Sequence, residues 1–209
     1  YLNEGVKMIG EGIQPSLIEN TARQLGMPVG PLQLIDETSI DLANQIAIAT
    51  KTALGKDYVE DVSDLVLAKM VKSNRLGRKS KAGFYEYDEN GRRQHFWHGL
   101  NLEWKLQKNQ PSPLEVSNRL AFIQCLEAVR ALEEGVLTDI IQGDVGAILG
   151  WGCLPWAGGP FSWLDMLGQR KVLSTCQSLS KKYGKRFSPP KIIETLAKKN
   201  TSFYEHFNL

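Results

Sequence analysis

Leu2, Val6, Ile9 and Ile13 recur at intervals of three and four residues, the spacing that lines apolar side chains along one face of an α-helix. Gln14-Pro15 breaks that run, and Ser16 followed by Glu19 has the form of a capping box opening a second helix, with Gly26 as its C-terminal stop. Pro31 suits the first turn of a third helix, and Leu34, Ile35, Ile40, Leu42, Ile46 and Ile48 carry apolar content on toward Leu54-Gly55. The next helix is predicted from about Ser63 through Leu65, Leu67, Met70 and Val71, ending near Leu76-Gly77. The strand signal lies at Gly83-Phe84-Tyr85-Glu86-Tyr87, with a hairpin-type turn at Asp88-Glu89-Asn90-Gly91 and a returning strand from Arg93 to Trp97.

The polar stretch from Gly99 to Pro113 places a domain boundary near Pro111. Beyond it Ser112-Pro113-Leu114-Glu115 starts a long helix reaching about Gly135, with Ser112 as N-cap and Glu115 closing a capping box. Helices are then expected from Thr138, near Trp163 to Leu167, from Val172 to Tyr183 and from Pro189-Pro190. With one hairpin among these elements the chain is mainly α.

The pattern occurs twice. Leu25-Gly26 and Gly30-Pro31-Leu32-Gln33-Leu34-Ile35-Asp36 return as Leu149-Gly150 and Gly159-Pro160-Phe161-Ser162-Trp163-Leu164-Asp165, and Asn3-Glu4-Gly5-Val6 returns as Leu126-Glu127-Ala128-Val129. Two long copies are a duplicated domain rather than a solenoid, which stacks three or more short repeats. Residues 1–110 form the first copy and 111–209 the second. The second copy has fourteen residues, Ser112 to Cys125, ahead of the position matching Asn3, where the first has only Tyr1 and Leu2. The first copy is therefore expected to be truncated at its front.

Charge and cysteines narrow the function classes. Twenty-five Lys+Arg stand against 23 Asp+Glu in 209 residues, a balance that argues for neither nucleic acid nor membrane surface. Cys125, Cys153 and Cys176 are odd in number and widely spaced, which suggests neither a disulfide framework nor a structural zinc, and the expected setting is a reducing cytoplasm. No apolar run approaches the ~18 residues of a membrane span.

Gly10-x-Gly12 and Gly150-x-Gly152 lack the third glycine of a dinucleotide fingerprint, and no P-loop, nucleophile elbow or metal-binding His-Glu-x-x-His is present. No catalytic, cofactor-binding or metal-binding residue is assigned. His95 and His98, an i, i+3 pair in the second strand, should face opposite ways and read as surface or packing residues. Lys69, Lys72, Arg75, Arg78, Lys79 and Lys81 read as a solvated helix end, or as a dock for a phosphorylated ligand or acidic neighbour. Asp36 and Asp165 read as caps of the following helix or ties for the turn. The Gly26 to Pro31 corner fixes the backbone between helices, and Pro31 leaves the free N–H groups of a helix start open to a ligand or to packing.

Tyr1-Leu2-Asn3-Glu4-x-Val6, Gly26-Met27-Pro28-x-Gly30-Pro31-Leu32-x-Leu34-x-Asp36 and Gly77-Arg78-Lys79-Ser80-x-x-Gly83-Phe84-Tyr85-x-Tyr87 together resemble the C-terminal domain of 3-hydroxyacyl-CoA dehydrogenase. The second copy, with Ser117-Asn118-Arg119, Gly158-Gly159-Pro160 and Pro189 to Phe203, resembles the second such domain of multifunctional fatty-acid oxidation enzymes. The resemblance implies tandem helical domains like the C-terminal domain of 6-phosphogluconate dehydrogenase, with one small hairpin. It implies a parent enzyme that oxidises L-3-hydroxyacyl-CoA with NAD in fatty-acid β-oxidation. NAD and the catalytic His–Glu pair would belong to an upstream Rossmann domain of the same polypeptide, beside a hydratase domain, and the chain alone would be inactive. Met27, Pro28, Gly30 and Pro31 would line the acyl-CoA site. The family's Asn-Arg pair has a match at Asn118-Arg119, in the copy that does not face substrate, so Asn118 receives no catalytic role. The duplication would let the two copies pair internally, making the fragment a monomer. The alternative is a non-catalytic helical module for packing and docking.

Overall fold

The computed structural model describes residues 1–207, which form two compact units: Tyr1–Arg23 with Val29–Val116, and Gln24–Pro28 with residues 117–207. The described residues hold twelve α-helices and one two-stranded sheet, so the mainly α reading stands. The division at residue 116 falls inside a helix, whereas the polar stretch before it, near Pro111, is where the sequence places the boundary.

The first unit is built on α1 (Leu2–Gly10), α2 (Pro15–Gln24), α3 (Pro31–Thr38), α4 (Ile40–Leu54) and α5 (Val62–Lys72). Helix α1 packs on α3 and α5. Val6, Met8, Ile18, Leu32, Ile35, Ile40, Met70 and Phe84 are all fully buried at this centre, each worth roughly 1.5–3 kcal/mol of transfer free energy. Asp61 caps α5 through a capping box with Asp64. At the predicted start of α2 the box is absent: the helix begins with Pro15, and Glu19 turns inward with 1% of its surface exposed. The reason is a stronger demand for its carboxylate, described below.

After α5 the chain makes a short 3₁₀ turn at Arg78–Ser80 and then the hairpin, β1 (Tyr85–Tyr87) against β2 (Arg93–Phe96). Tyr85 pairs with Phe96 and Tyr87 with Arg93, an irregular register with one bulge. The rings of Tyr85 and Phe96 stack at 4.3 Å. A single turn, α6 (Leu100–Glu103), closes the unit.

The second unit follows α7 (Pro113–Glu133) with α8 (Ile140–Trp151), α9 (Pro160–Leu167), α10 (Gln169–Tyr183), α11 (Lys191–Lys199) and α12 (Phe203–His206). Ser112 accepts from the Glu115 N–H at the start of α7. Asp139, not Thr138, caps α8, because its carboxylate reaches both Ile141 N and Gln142 N. The core centres on Leu120, Phe122, Leu126, Phe161, Leu164 and Phe203, with Phe122 edge-on to Trp163 and Phe161 edge-on to Phe203. Cys125, Cys153 and Cys176 are free thiols at 0% exposure. Among the described residues no helix is long and apolar enough to cross a membrane.

Candidate functional site

In the first unit the corner predicted from sequence is held by a carboxylate from another helix. Gly30 is the N-cap of α3 and Pro31 its first residue. Proline has no N–H, so the first free donors of the helix belong to Leu32 and Gln33. Glu19 of α2 takes both, accepting on Oε1 from Leu32 N at 2.7 Å and Gln33 N at 3.3 Å. A Cβ on Gly30 would stand 2.3 Å from that carboxylate, so the cap comes from a distant side chain and the local residue must be glycine. Arg23 donates to Oε2 at 3.2 Å, and the Tyr85 hydroxyl does so at 2.9 Å.

A second carboxylate locks the hairpin to α3. Asp36, 1% exposed, accepts from Phe84 N at 2.9 Å on Oδ1, and from Tyr85 N and the Tyr87 hydroxyl, each at 3.0 Å, on Oδ2. Burial pushes its carboxyl up to about 7, against the opposing pull of the Tyr85 and Phe84 N–H groups, the Tyr87 hydroxyl and the Arg75 charge. Gly83 is required here because a Cβ would lie 2.2 Å from Oδ1. Tyr85 thus bridges the pair, its N–H on Asp36 and its hydroxyl on Glu19. Asp36 ties a turn, as one of the two sequence readings had it, but the turn lies 48 residues away and not at the end of its own helix.

The second unit repeats the arrangement. Asp144 of α8 accepts from Phe161 N at 2.7 Å, Ser162 N at 3.0 Å and the Tyr204 hydroxyl at 2.9 Å. Asp165 accepts from Phe203 N at 2.8 Å, Tyr204 N at 3.1 Å and Gln169 Nε2 at 2.6 Å. Burial raises both carboxyls above the ordinary aspartate range. Gly159 takes the place of Gly30, its hypothetical Cβ 2.6 Å from Asp144 Oδ1. So Glu19, Asp36 and Tyr85 correspond to Asp144, Asp165 and Tyr204. Ser202-Phe203-Tyr204-Glu205 stands where the first copy has Gly83-Phe84-Tyr85-Glu86. The hairpin itself has no counterpart among the described residues of the second unit, because Phe203 begins α12 there.

Every oxygen of these carboxylates accepts at least one N–H or O–H donor from the chain. A general acid or base needs an oxygen facing the substrate, so the geometry is that of a clamp. The four residues assigned to the acyl site divide between the units. Gly30 and Pro31 are buried in the first, with Pro31 against Gly5. Met27 and Pro28 belong to the second, where Met27 is 5% exposed, its Sδ 3.9 Å from Gln124 Nε2, and Pro28 sits against Gly152. Trp156, in the loop inserted in the second copy, donates from Nε1 to the Leu25 carbonyl at 2.8 Å and covers Gly26.

The His95 and His98 rings lie 4.7 Å apart, contrary to the opposite-faces expectation. The strand ends at Phe96, so the period of two no longer governs His98. Among the described residues no group of three His, Cys, Asp or Glu side chains could hold a metal. The basic cluster is met largely by nearby acids: Lys69 with Glu103, Arg75 with Glu86, Arg78 with Glu37 and Lys79 with Asp41, at 2.6–2.9 Å. Arg75 also donates to the Gly83 carbonyl and stacks 4.2 Å over Trp97. Asn118 lies on α7 and is half-buried, and the neighbouring Arg119 is fully buried over the Tyr183 ring.

The family model for the 3-hydroxyacyl-CoA dehydrogenase C-terminal domain matches residues 1–87, a span that contains Glu19, Asp36, Tyr85 and Tyr87. Residues 1–87 belong to that family. Two solved structures share the fold of nearly the whole chain. A 3-hydroxybutyryl-CoA dehydrogenase from Escherichia coli K12 aligns over 96% of this chain and 58% of its own, at TM-score 0.72 and 18% identity. The dehydrogenase part of a multifunctional enzyme from C. elegans aligns over 92% of this chain and 44% of its own, at TM-score 0.63 and 16% identity. The chain thus spans about half the length of these dehydrogenases. In the 3-hydroxyacyl-CoA dehydrogenase domain the matched segment ends at Tyr87, the last residue whose side chain reaches Asp36.

Proposed function

We propose that this chain is the substrate-enclosing and assembly part of an NAD-dependent L-3-hydroxyacyl-CoA dehydrogenase of fatty-acid β-oxidation, inactive by itself. The observation that carries the reading is the family match over residues 1–87, the span in which Glu19 holds the start of α3 beside Gly30-Pro31 and Asp36 ties the hairpin to that helix. That corner, through Met27, Pro28, Gly30 and Pro31, is assigned to the acyl-CoA side of the active site. Its work is to hold the thioester and exclude water while the 3-hydroxyl is oxidised.

The repeated corners at the starts of α3 and α9 do not fit NAD. A dinucleotide takes its pyrophosphate at a glycine-rich loop and an open helix N-terminus, and the N-termini of α3 and α9 are filled by the carboxylates of Glu19 and Asp144. Cofactor and proton transfer are therefore assigned to a Rossmann domain of the parent protein, in a polypeptide that also carries a hydratase. Three buried free thiols support a reducing, cytoplasmic setting.

The test is complementation. Calorimetry with NAD on this chain should show no binding, and mixing or fusing it with a Rossmann domain of a 3-hydroxyacyl-CoA dehydrogenase should give NAD-dependent oxidation that neither part shows alone. A fusion that binds NAD and acyl-CoA but never turns over would leave the chain a packing and docking module.

A further inference from the structure

The chain reverses just past the end of β2, and the reversal brings two imidazoles together. Leu100 N donates to the Trp97 carbonyl at 3.1 Å, closing a turn from Trp97 to Leu100. Packing fixes that turn: the Arg75 guanidinium sits 4.2 Å from the centre of the Trp97 ring, and a Cβ on Gly99 would stand 2.2 Å from the same ring. His98, second in the turn, is thereby laid beside His95 of β2, with ring centres 4.7 Å apart and planes tilted by 34°. Both residues are exposed, so burial does not account for their meeting.

The separation suits a shared metal ion. A zinc to nitrogen bond of about 2.0–2.1 Å puts the ion about 3.2 Å from each ring centre, so two imidazoles at right angles have centres about 4.5 Å apart and two at the tetrahedral angle about 5.2 Å. The observed 4.7 Å falls between the two. His95 is also held in a suitable tautomer. Its Nδ1 lies 2.9 Å from the Phe96 carbonyl, which can only accept, so in the neutral ring Nδ1 carries the proton and Nε2 keeps its lone pair. A backbone carbonyl on the far N–H is the usual support of a metal-bound imidazole. His98 in turn lines an open cavity of about 120 Å³, together with Gln14, Ser16 and Asn101. At about 30 Å³ for each water, the cavity has room for the solvent that must complete a coordination shell begun by two ligands.

We propose that His95 and His98 bind one divalent transition-metal ion of the class that prefers imidazole, Zn²⁺ or Cu²⁺, with water in the remaining positions. Two neutral nitrogen ligands select against Mg²⁺ and Ca²⁺, which take oxygen. Two side chains suffice because the other positions are left to solvent, so the site needs no cluster of three ligating residues. Bound there, the ion cross-links the end of β2 to the turn that leads into α6, and it takes no part in the acyl-CoA role assigned to the Gly26 to Pro31 corner.

Calorimetric titration of the whole chain with Zn²⁺, and separately with Cu²⁺, tests this. One ion should bind per chain, Cu²⁺ more tightly than Zn²⁺, and Mg²⁺ should give no heat. His95→Ala and His98→Ala should each weaken binding at least tenfold and leave the metal-free melting temperature unchanged, since both residues are exposed. His206→Ala, at the third histidine of the chain, should leave the affinity as it was. Zn²⁺ should raise the melting temperature of the parent but not of the His95→Ala/His98→Ala double variant, because an ion held only by the folded chain stabilises it. No saturable binding up to about 1 mM Zn²⁺, or binding that survives in the double variant, overturns the proposal and leaves the pair a contact between stacked rings.

Discussion

The Tyr204 hydroxyl donates to Asp144 at 2.9 Å while the Tyr204 N–H donates to Asp165 at 3.1 Å. One residue therefore joins the buried Asp144 and the half-buried Asp165 on two helices, as Tyr85 joins Glu19 and Asp36 in the first unit. What the duplication has kept is this pattern of donors and acceptors, even though Tyr85 lies in a strand and Tyr204 in a helix.

Tyr85→Phe and Tyr204→Phe should each destabilise their unit by about 1–3 kcal/mol, the cost of leaving a buried acceptor one donor short. The backbone N–H bonds to Asp36 and Asp165 survive in both variants, so folding is retained. Urea unfolding followed by circular dichroism gives the value. Midpoints equal to the parent's would show the hydroxyls to be dispensable.

Asp36 should make stability depend on pH. Its folded carboxyl sits at about 7 against an ordinary 3.8, so the folded state holds the proton more tightly than the unfolded chain. Its contribution is complete below about pH 4 and is lost as the pH rises through 7, a change on the order of 4 kcal/mol. Asp36→Asn should flatten that slope, at a fixed cost from an amide that cannot accept all three donors. Urea midpoints compared at pH 5 and pH 8 decide it. A parent as stable at pH 8 as at pH 5, with no difference in slope from the variant, contradicts the expectation.

Gly83→Ala and Gly159→Ala should each cost about 1–3 kcal/mol, the range for overpacking a tight interior, because the new methyl would collide with Asp36 or Asp144. Differential scanning calorimetry reads the loss. Gly146 in α8, where an added Cβ would meet no atom within 4 Å, is the control: Gly146→Ala should raise the melting temperature through helix propensity.

Met27→Glu separates packing from substrate contact. Met27 is 5% exposed, so an unpaired carboxylate there should cost roughly 3 kcal/mol or more and lower the melting temperature. A role confined to lining the acyl site would instead raise the Michaelis constant of the full enzyme and leave the melting temperature in place.

The helices were legible because apolar periodicity reports burial directly: the α1 stripe of Val6 and Ile9 and the α10 stripe of Val172, Cys176 and Leu179 are buried as spaced. The hairpin was legible from alternation and its turn residues. The clamps were not. Ser16 and Glu19 have the spacing of a local capping box, yet Pro31 and the bare N-cap Gly30 create a demand thirteen residues away that the local pattern does not encode. The second Phe-Tyr pair, Phe203-Tyr204, is hidden in the sequence because its offset from Phe84-Tyr85 differs from that of the other repeated segments. Asn74 and Asn200 both adopt left-handed backbone, at φ 55° and 53°, and end α5 and α11. Nine residues then separate Asn74 from Phe84, and two separate Asn200 from Phe203. The seven extra residues carry most of the basic cluster and hide the repeat.

All three cysteines of the chain, Cys125, Cys153 and Cys176, belong to the second unit and are wholly buried there. Thiol alkylation in the native protein must therefore wait for that unit to open, and the first unit contributes no background. Pulsed labelling followed by mass spectrometry would time the opening of one copy while its twin stays silent. The duplicated chain thus carries a built-in means of asking whether its two halves unfold together or in turn.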